Sequence, residues 1–561
     1  MGMSVVLLEN EKPQPAWCLL LPNLGGWFFL FLLVCFMFLD PLKLLWDGGT
    51  CRHLITGVYV LTRHAIPTTN YVSALFPDVA CLTHSFLGDL AFGLAFQLWN
   101  LKGVVMLSAL AISLSLTWSY QFARARGLGS VSALLVLVLA MTACSMHWSA
   151  RCHLFSYLAF LLLYWLNYLS SVSQRQRLFF SAIIMLCWVN VHGSFLIGIL
   201  MLALKAISDW LEWAWGWQSH PGPAGAENPT GQLPATAETL AGASGADLRA
   251  VARWDIFTLI AAAAAICVNL RGPGFYAYVL GYLSHPMILF RSDEWRSLDF
   301  SLGIQTWSFL LIFAVLAALW ALSDYRPRLW ELSLILALYL AGLHTMRLIP
   351  YFVLAALPAM GPPWSEWRAA SLSGSPASTA GWLKRLCLRF FALEVRVEAQ
   401  ERPRLAVAIA RLAIAGLLCA TFLLLPSIQV KDFNARKLPV KAVDYIALNG
   451  LTGLGFVLDN WGGYLYWRLG RPVFIDDWTD FYPLPFLQEY VATLMGQAGW
   501  QDVLDKYHIQ YVLIPCRQLL GAALSASPGW QKAFEDQVSE LYVRRQKVGV
   551  DVPAADRPSS L

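Results

Sequence analysis

Polar chemistry in this chain is concentrated in one stretch, Asp40 to Asp89, which reads DPLKLLWDGGTCRHLITGVYVLTRHAIPTTNYVSALFPDVACLTHSFLGD. It carries Asp47, His53, Asp78, His84 and Asp89 in a sequence that is only 13% charged. A carboxylate there is placed to take a proton, and imidazoles hydrogen-bond a phosphate or ligate a metal. Asp47 is followed at once by Gly48 and Gly49, which let backbone come close to a ligand. Further on, isolated polar residues recur at the ends of apolar runs: Arg151, Asn190, His192, Asn269, Glu294 and Arg347. Such residues are costly in lipid and by default mark a site or a water-filled cavity. Negative charge developing on a departing group is best met by a fixed cation in a water-poor cleft. Arg347, flanked by apolar runs, is the first candidate for that cation, and Arg151, with its forked donors, the second.

These residues need a scaffold, and composition says which kind. The 561 residues are 58% hydrophobic, whereas soluble domains carry about 25% charged residues. The chain is therefore expected to be an integral membrane protein. Twenty-five Trp and twenty Tyr suit repeated membrane interfaces. A net charge of +5 is too small to imply a nucleic-acid partner. A span needs on the order of 20 mostly apolar residues. Suitable runs lie at 20–39, 103–122, 130–148, 153–171, 178–191, 194–211, 255–270, 303–322, 329–346, 348–361 and 405–426, which makes about eleven spans. No small-x-small cleavage site follows the first run, so it is expected to stay as a span. Runs 52–64 and 83–99 are amphipathic or bounded by turns, and are placed as juxtamembrane helices of a first loop, 40–102.

With that alternation one side collects Arg124, Arg126, Arg175, Arg177, Arg249, Arg253, Arg326, Arg328 and the basic loop 362–404. Cytoplasmic loops gather Lys and Arg, so the isolated acids, imidazoles and Arg347 fall on the opposite, extracytoplasmic face. Lys205 and Asp209 sit one helical turn apart and read as a local ion pair. Residues 217–250, rich in Pro, Gly, Ala and Thr, read as a flexible cytoplasmic linker. The Cys residues lie mostly inside apolar runs, and Cys51 and Cys81 share the first loop, where an oxidising compartment would allow a disulfide.

Beyond Pro426 the pattern changes. Apolar runs at 456–458, 473–475 and 511–514 alternate with helical patterns at 440–448, 483–496 and 499–506, which predicts a small extracytoplasmic α/β domain over 427–561. Asp459, Asp476 and Asp477 follow expected strands, where loops commonly carry polar functions. Equally, the acids there cap helices and Gly462 and Gly463 allow tight backbone. The fold class is thus mainly α, a polytopic helical domain over 1–426 followed by that domain.

Ordered motifs add a resemblance. Asp47-Gly48-Gly49-Thr50-Cys51-Arg52-His53 with Thr56-Gly57 resembles "DPDxWWHxxTG", Ile66-Pro67-Thr68-Thr69 resembles "xPxTD", and His84-Ser85-Phe86-Leu87 resembles "HEWL". Trp188 to Gly193 resembles "WxNxHG", Asn269 opens a segment like "NPxG", Glu294-Trp295 is like "EW", and Arg347 to Pro350 is like "RxxP". Trp461 to Leu465 resembles "WGGYL" and Phe474-Ile475-Asp476 resembles "FIDGR". Together they resemble a bacterial branch of the GT-C glycosyltransferases, polytopic enzymes that take a sugar from a polyprenyl-phosphate carrier.

The resemblance implies a glycosyltransferase of the bacterial inner membrane, with a polyprenyl-phosphate-linked sugar donor, an acceptor, and the lipid bilayer as partners. On that reading Asp47 is the base, Arg347 steadies the leaving phosphate, and His53 joins them as catalytic. His84, Arg151, Asn190, His192, Glu294, Asn269 and Asp476 bind substrate, Asn190 and Glu294 suiting sugar hydroxyls. No residue is assigned as a metal ligand. The cofactor implied is at most a divalent cation, Mg or Mn, because Gly49 and Ser85 stand where two acids are expected. Those departures also admit a catalytically inactive assembly or binding subunit. A lipid-linked sugar transporter is a third reading, disfavoured because no internal repeat is visible.

Overall fold

The computed structural model describes residues 24–170, 172–215, 245–283, 295–373, 381–400 and 405–545. The chain divides into two compact units, one of Met1–Thr68 with Cys81–Asp432, the other of Thr69–Ala80 with Phe433–Leu561.

The first unit is helical. In chain order its helices are α1 (Leu24–Val34), α2 (Gly49–Arg63), α3 (Phe86–Ala125), α4 (Ser130–Ala143), α5 (His153–Tyr164), α6 (Gln174–Val189) and α7 (Phe195–Trp215). There follow α8 (Gly245–Ile266), α9 (Gly274–Leu283), α10 (Ile304–Leu322), α11 (Leu329–His344), α12 (Ile349–Ala359), α13 (Gly361–Ser373), α14 (Trp382–Gln400) and α15 (Leu405–Leu424). Each apolar run proposed from sequence therefore falls on a helix. Phe86–Ala125, Ile304–Leu322 and Val407–Leu424 are long and apolar enough to cross a membrane; Leu24–Leu39, Ser130–Ala143, His153–Leu169 and Leu329–His344 are shorter apolar helices. At 1.5 Å per residue α12 is about 16 Å long, all its residues are buried, and only Met360, itself in helical φ/ψ, separates it from α13.

Local sequence explains several boundaries. Ser173 and Gln176 form a reciprocal capping box at the start of α6. Helix α3 is broken at Trp99 and Asn100, and Asn100 takes a left-handed φ of 51°. Beyond the break Gly103 sits so close to the Ala95 carbonyl that a Cβ would lie 2.1 Å from it. The arm before the break is therefore a separate segment turned against the longer arm, and it begins at Phe86 instead of 83.

One expectation of irregular structure needs correction. Residues 245–250, assigned to a flexible linker, open helix α8, while 217–244 lie outside the described residues. The basic loop 362–404 holds most of helix α13 and all of α14. There Arg368 pairs with Glu394 and Glu398, and Arg124 with Glu398. Lys205 and Asp209 do pair, but within a larger network: Lys205 also reaches Asp255 at 3.1 Å, and Arg328 meets Asp209 at 3.1 Å and Glu212 at 2.8 Å. Sequence spacing exposes only the pair on one helix.

The second unit carries a four-stranded sheet in the order β1-β2-β4-β3, with β1 Gly455–Val457, β2 Tyr511–Pro515, β3 Trp530–Glu535 and β4 Ser539–Arg544. β1 and β2 are parallel, and the other pairs antiparallel. The β3–β4 turn is set by Asp536, whose carboxylate accepts from Val538 N and Ser539 N. Residues 473–475, expected as a strand, make only an isolated parallel bridge between Val473 and Ser73. That bridge belongs to the segment Thr69–Ala80, which sequence reasoning left with the first domain. Phe76 of the same segment packs edge-on against Tyr482 and Phe486. Gly462 is required where it stands, since a Cβ there would lie 1.8 Å from the Ile475 carbonyl.

Candidate active site at the helix N-termini of the first unit

The site is assembled where helices begin. Asp47 precedes α2, and its Oδ1 accepts from Gly49 N at 3.0 Å. Arg151, two residues before α5, holds both carboxylate oxygens, with Nη2 to Oδ1 at 2.8 Å and Nε to Oδ2 at 2.6 Å. Asp47 is only 4% exposed. A carboxylate oxygen has two lone pairs, so Oδ1 is filled by Gly49 N and Arg151 Nη2, while Oδ2 meets Arg151 Nε as an ion-pair contact without a hydrogen bond. Arg151 thus serves as the counter-ion of Asp47 rather than as a phosphate clamp.

Further along α2, His53 Nδ1 meets Asp89 Oδ1 of α3 at 2.6 Å. Asp89 also accepts from Thr83 Oγ1 at 2.7 Å and Ser85 Oγ at 2.9 Å. Glycines permit this approach. A Cβ at Gly57 would lie 2.0 Å from the Asp89 carbonyl, and one at Gly93 would lie 2.5 Å from the Gly57 carbonyl carbon. Each glycine is one helical turn beyond the residue it helps to position. On the third side Cys152 Sγ lies 3.3 Å from His53 Nδ1 and 3.6 Å from Asp89 Oδ1. Burial pushes the Cys152 thiol well above its usual range, and Asp89 adds to the effect. A thiol held protonated is not a nucleophile.

The loop between α6 and α7 supplies His192. Its Nε2 faces Arg347 Nη2 at 3.1 Å and its Nδ1 faces Ser194 Oγ at 2.8 Å. Its Nδ1 also accepts from Ser194 N at 3.1 Å, and Ser194 Oγ accepts from Trp188 Nε1 and Tyr351 OH. Burial and the Arg347 charge hold His192 well below the usual histidine range, so the ring is neutral. Arg347 lies just before α12, its guanidinium centre 5.0 Å from the centroid of the Trp295 ring. His84 packs its ring against Phe275, Tyr278 and His192. Burial lowers its pKa to about 4, with Asp89 opposing and His53, Arg271 and Arg347 assisting.

Asp47, His53, His84, Arg151, His192 and Arg347 are therefore linked by contacts within one region of the first unit. The N-termini of α2, α3, α5, α7 and α12 meet there, and helix N-termini favour anions. Other sequence candidates have different tasks. Asn190 Nδ2 donates to Leu186 O and Val268 O, both at 2.9 Å. Asn269 accepts from Arg271 N and donates to Ile266 O and Gly272 O, so it shapes a turn. Asp476 belongs to the second unit, fully buried, with Tyr482 OH donating to its Oδ1 at 3.1 Å. Glu294 lies outside the described residues. Cys51 and Cys81 are not joined in a disulfide, and Cys81 Sγ accepts from Arg52 Nη2 at 3.6 Å.

Sequence reasoning left Asp89, Cys152, His147, His153 and Arg271 without a role. His153 Nε2 donates to His147 O at 2.8 Å, and its ring lies 6.2 Å from that of His192. His147 Nε2 donates to Met346 O at 2.9 Å, fixing the residue before Arg347. Arg271 donates to Leu82 O and covers the Tyr278 ring at 3.9 Å. His153 lies two residues past Arg151, a local signal that could have been used.

Among the described residues, Asp47 does not suit Mg or Mn. Those ions prefer carboxylate, carbonyl and water oxygens, yet the oxygens of Asp47 are already engaged by Arg151.

No family model and no curated protein matches the sequence. Among solved structures the chain is similar to the Archaeoglobus fulgidus oligosaccharyltransferase tethered with an acceptor peptide. The identity is 12%, the alignment covers 95% of this chain and 74% of that one, and the TM-score is 0.51. It also aligns with ArnT from Cupriavidus metallidurans bound to undecaprenyl phosphate, at 13% identity over 93% of this chain and 98% of that one, TM-score 0.49. At such identities the likeness is one of fold. The chain has a GT-C-like fold.

Proposed function

We propose that the chain is a glycosyltransferase that moves a sugar from a polyprenyl-phosphate-linked donor to an acceptor at the periplasmic face of a bacterial inner membrane. The observation that carries this reading is the Arg347–His192 pair, set among helix N-termini beside the Asp47–Arg151 pair. Arg347 lends positive charge to the departing phosphate, and neutral His192 orients the guanidinium. Preorganised charge of this kind commonly contributes more to lowering the barrier than any other single effect. Asp47 Oδ2 takes the acceptor's proton, while Arg151 Nη2, bonded to Oδ1, holds the carboxylate in one orientation. On this reading the base activates the acceptor and the lipid phosphate leaves from the opposite face, so the transfer is inverting.

The test is turnover by the purified chain, in nanodiscs, of a polyprenyl-phosphate sugar series with product mass analysis. Transfer by wild type, lost in R347A and D47N while both variants stay folded, supports the reading. Donor binding without transfer by wild type points instead to a non-catalytic binding or assembly subunit, a reading favoured by the engagement of Asp47 with Arg151.

A further inference from the structure

The proposed transfer makes no direct use of the His53–Asp89–Cys152 cluster. Its donor atoms, an imidazole Nδ1, a carboxylate Oδ1 and a thiol Sγ, all lie within 4.8 Å of one another. They come from three elements far apart in sequence, and close packing brings them together. Gly57 and Gly93 seat α2 on α3, and a Cβ at Gly88 would lie 2.6 Å from Cys152 Sγ. Three glycines thus keep the cluster compact.

From this juxtaposition we propose that His53 Nδ1, Asp89 Oδ1 and Cys152 Sγ hold a borderline-soft divalent transition metal, with Zn2+ the best match. The inference is independent of what the chain transfers. Zn2+ takes N, O and S donors at about 2.0 to 2.3 Å in tetrahedral array, which sets the donors about 3.3 to 3.6 Å apart. The observed separations are 2.6, 3.3 and 3.6 Å, so only His53 and Asp89 must part slightly. Asp89 keeps Thr83 on its other oxygen, an outer partner of the kind that orients a metal-bound carboxylate. Charge balances as well. Binding expels the thiol proton, and a dication with one thiolate, one carboxylate and a neutral imidazole is neutral overall. That suits a cluster where Asp89 and Cys152 are at most 1% exposed. Three protein donors leave a fourth position, the pattern of zinc sites that accept water or a ligand oxygen.

The experiment uses the full chain in detergent, stripped with chelator, reloaded with Zn2+ or Co2+ and passed through a desalting column. About one equivalent of zinc by elemental analysis is expected, together with a sulfur-to-cobalt charge-transfer band in the near ultraviolet. C152S, checked as folded by thermal unfolding, should lose the band and retain at least tenfold less metal, and D89N should likewise lose metal. A wild-type cobalt complex lacking the sulfur band overturns the assignment, whatever the variants do. So does less than about a tenth of an equivalent of zinc, or equal retention by wild type and folded C152S.

Discussion

Arg151 grips Asp47 through both carboxylate oxygens, at 2.6 and 2.8 Å, across a sequence separation that no local pattern reveals. The pair is mostly buried, with Asp47 side-chain exposure of 5%. Removing one partner strands the other. R151A is expected to lower unfolding stability by about 3 to 5 kcal/mol, measured by thermal or denaturant unfolding in detergent. R151K, which keeps a charge without the fork, should fall between R151A and wild type.

Arg347 should be far more sensitive in rate than in substrate binding if it acts on the departing phosphate. R347A is expected to reduce kcat by about 100- to 1,000-fold with a smaller change in KM. R347K should recover part of the rate. Steady-state kinetics with the donor held constant decide this, and an equal loss in kcat and in donor affinity would contradict it.

Acid should loosen the first unit. The folded pKa of His84 is about 4, below the value of about 6.5 expected in the unfolded chain. Between these values the unfolded state binds more protons, so stability falls as pH drops through that window. His192, lowered in the same direction, adds to the trend. The unfolding temperature should be flat above pH 7 and decline from about pH 6.5 towards pH 4. In H84Q that decline should be shallower.

Gly57 offers a steric test. A methyl group there meets the Asp89 carbonyl at 2.0 Å, and backbone cannot move aside cheaply. G57A should destabilise the chain by about 2 kcal/mol or more. G416A, where a Cβ meets nothing within 4 Å, is the matched control and should be neutral within about 0.5 kcal/mol.

Much of the helical scaffold was legible because apolar runs in a charge-poor chain are a strong signal, as with Ile304–Leu322 and Leu329–His344. Asp47, His192 and Arg347 stood out for a related reason, being polar where polarity is rare. What sequence hid was pairing between helices. Nothing local says that His53 of α2, Asp89 of α3 and Cys152 before α5 converge. Asn190 and Asn269 misled because a polar residue at a helix end is equally suited to tying down loose backbone, which is what both do. Residues 473–475 have strand composition, yet their neighbour is a short piece of chain from the first loop rather than a sheet. The β3–β4 hairpin was missed because Gln531, Lys532 and Glu535 break the apolar alternation on its outer strand.

The excursion Thr69–Ala80 has a consequence for biosynthesis. Those residues leave the ribosome early, but the partners they pack with, Val473, Tyr482 and Phe486, arrive hundreds of residues later. Until translation is nearly finished the early segment must wait with Phe76 unshielded. A polypeptide ending at Asp432 would leave it permanently bare, and a fragment starting at Phe433 would lack a piece of its own interior. The C-terminal unit is therefore no detachable module, and cutting the chain between the units should yield two misfolding halves.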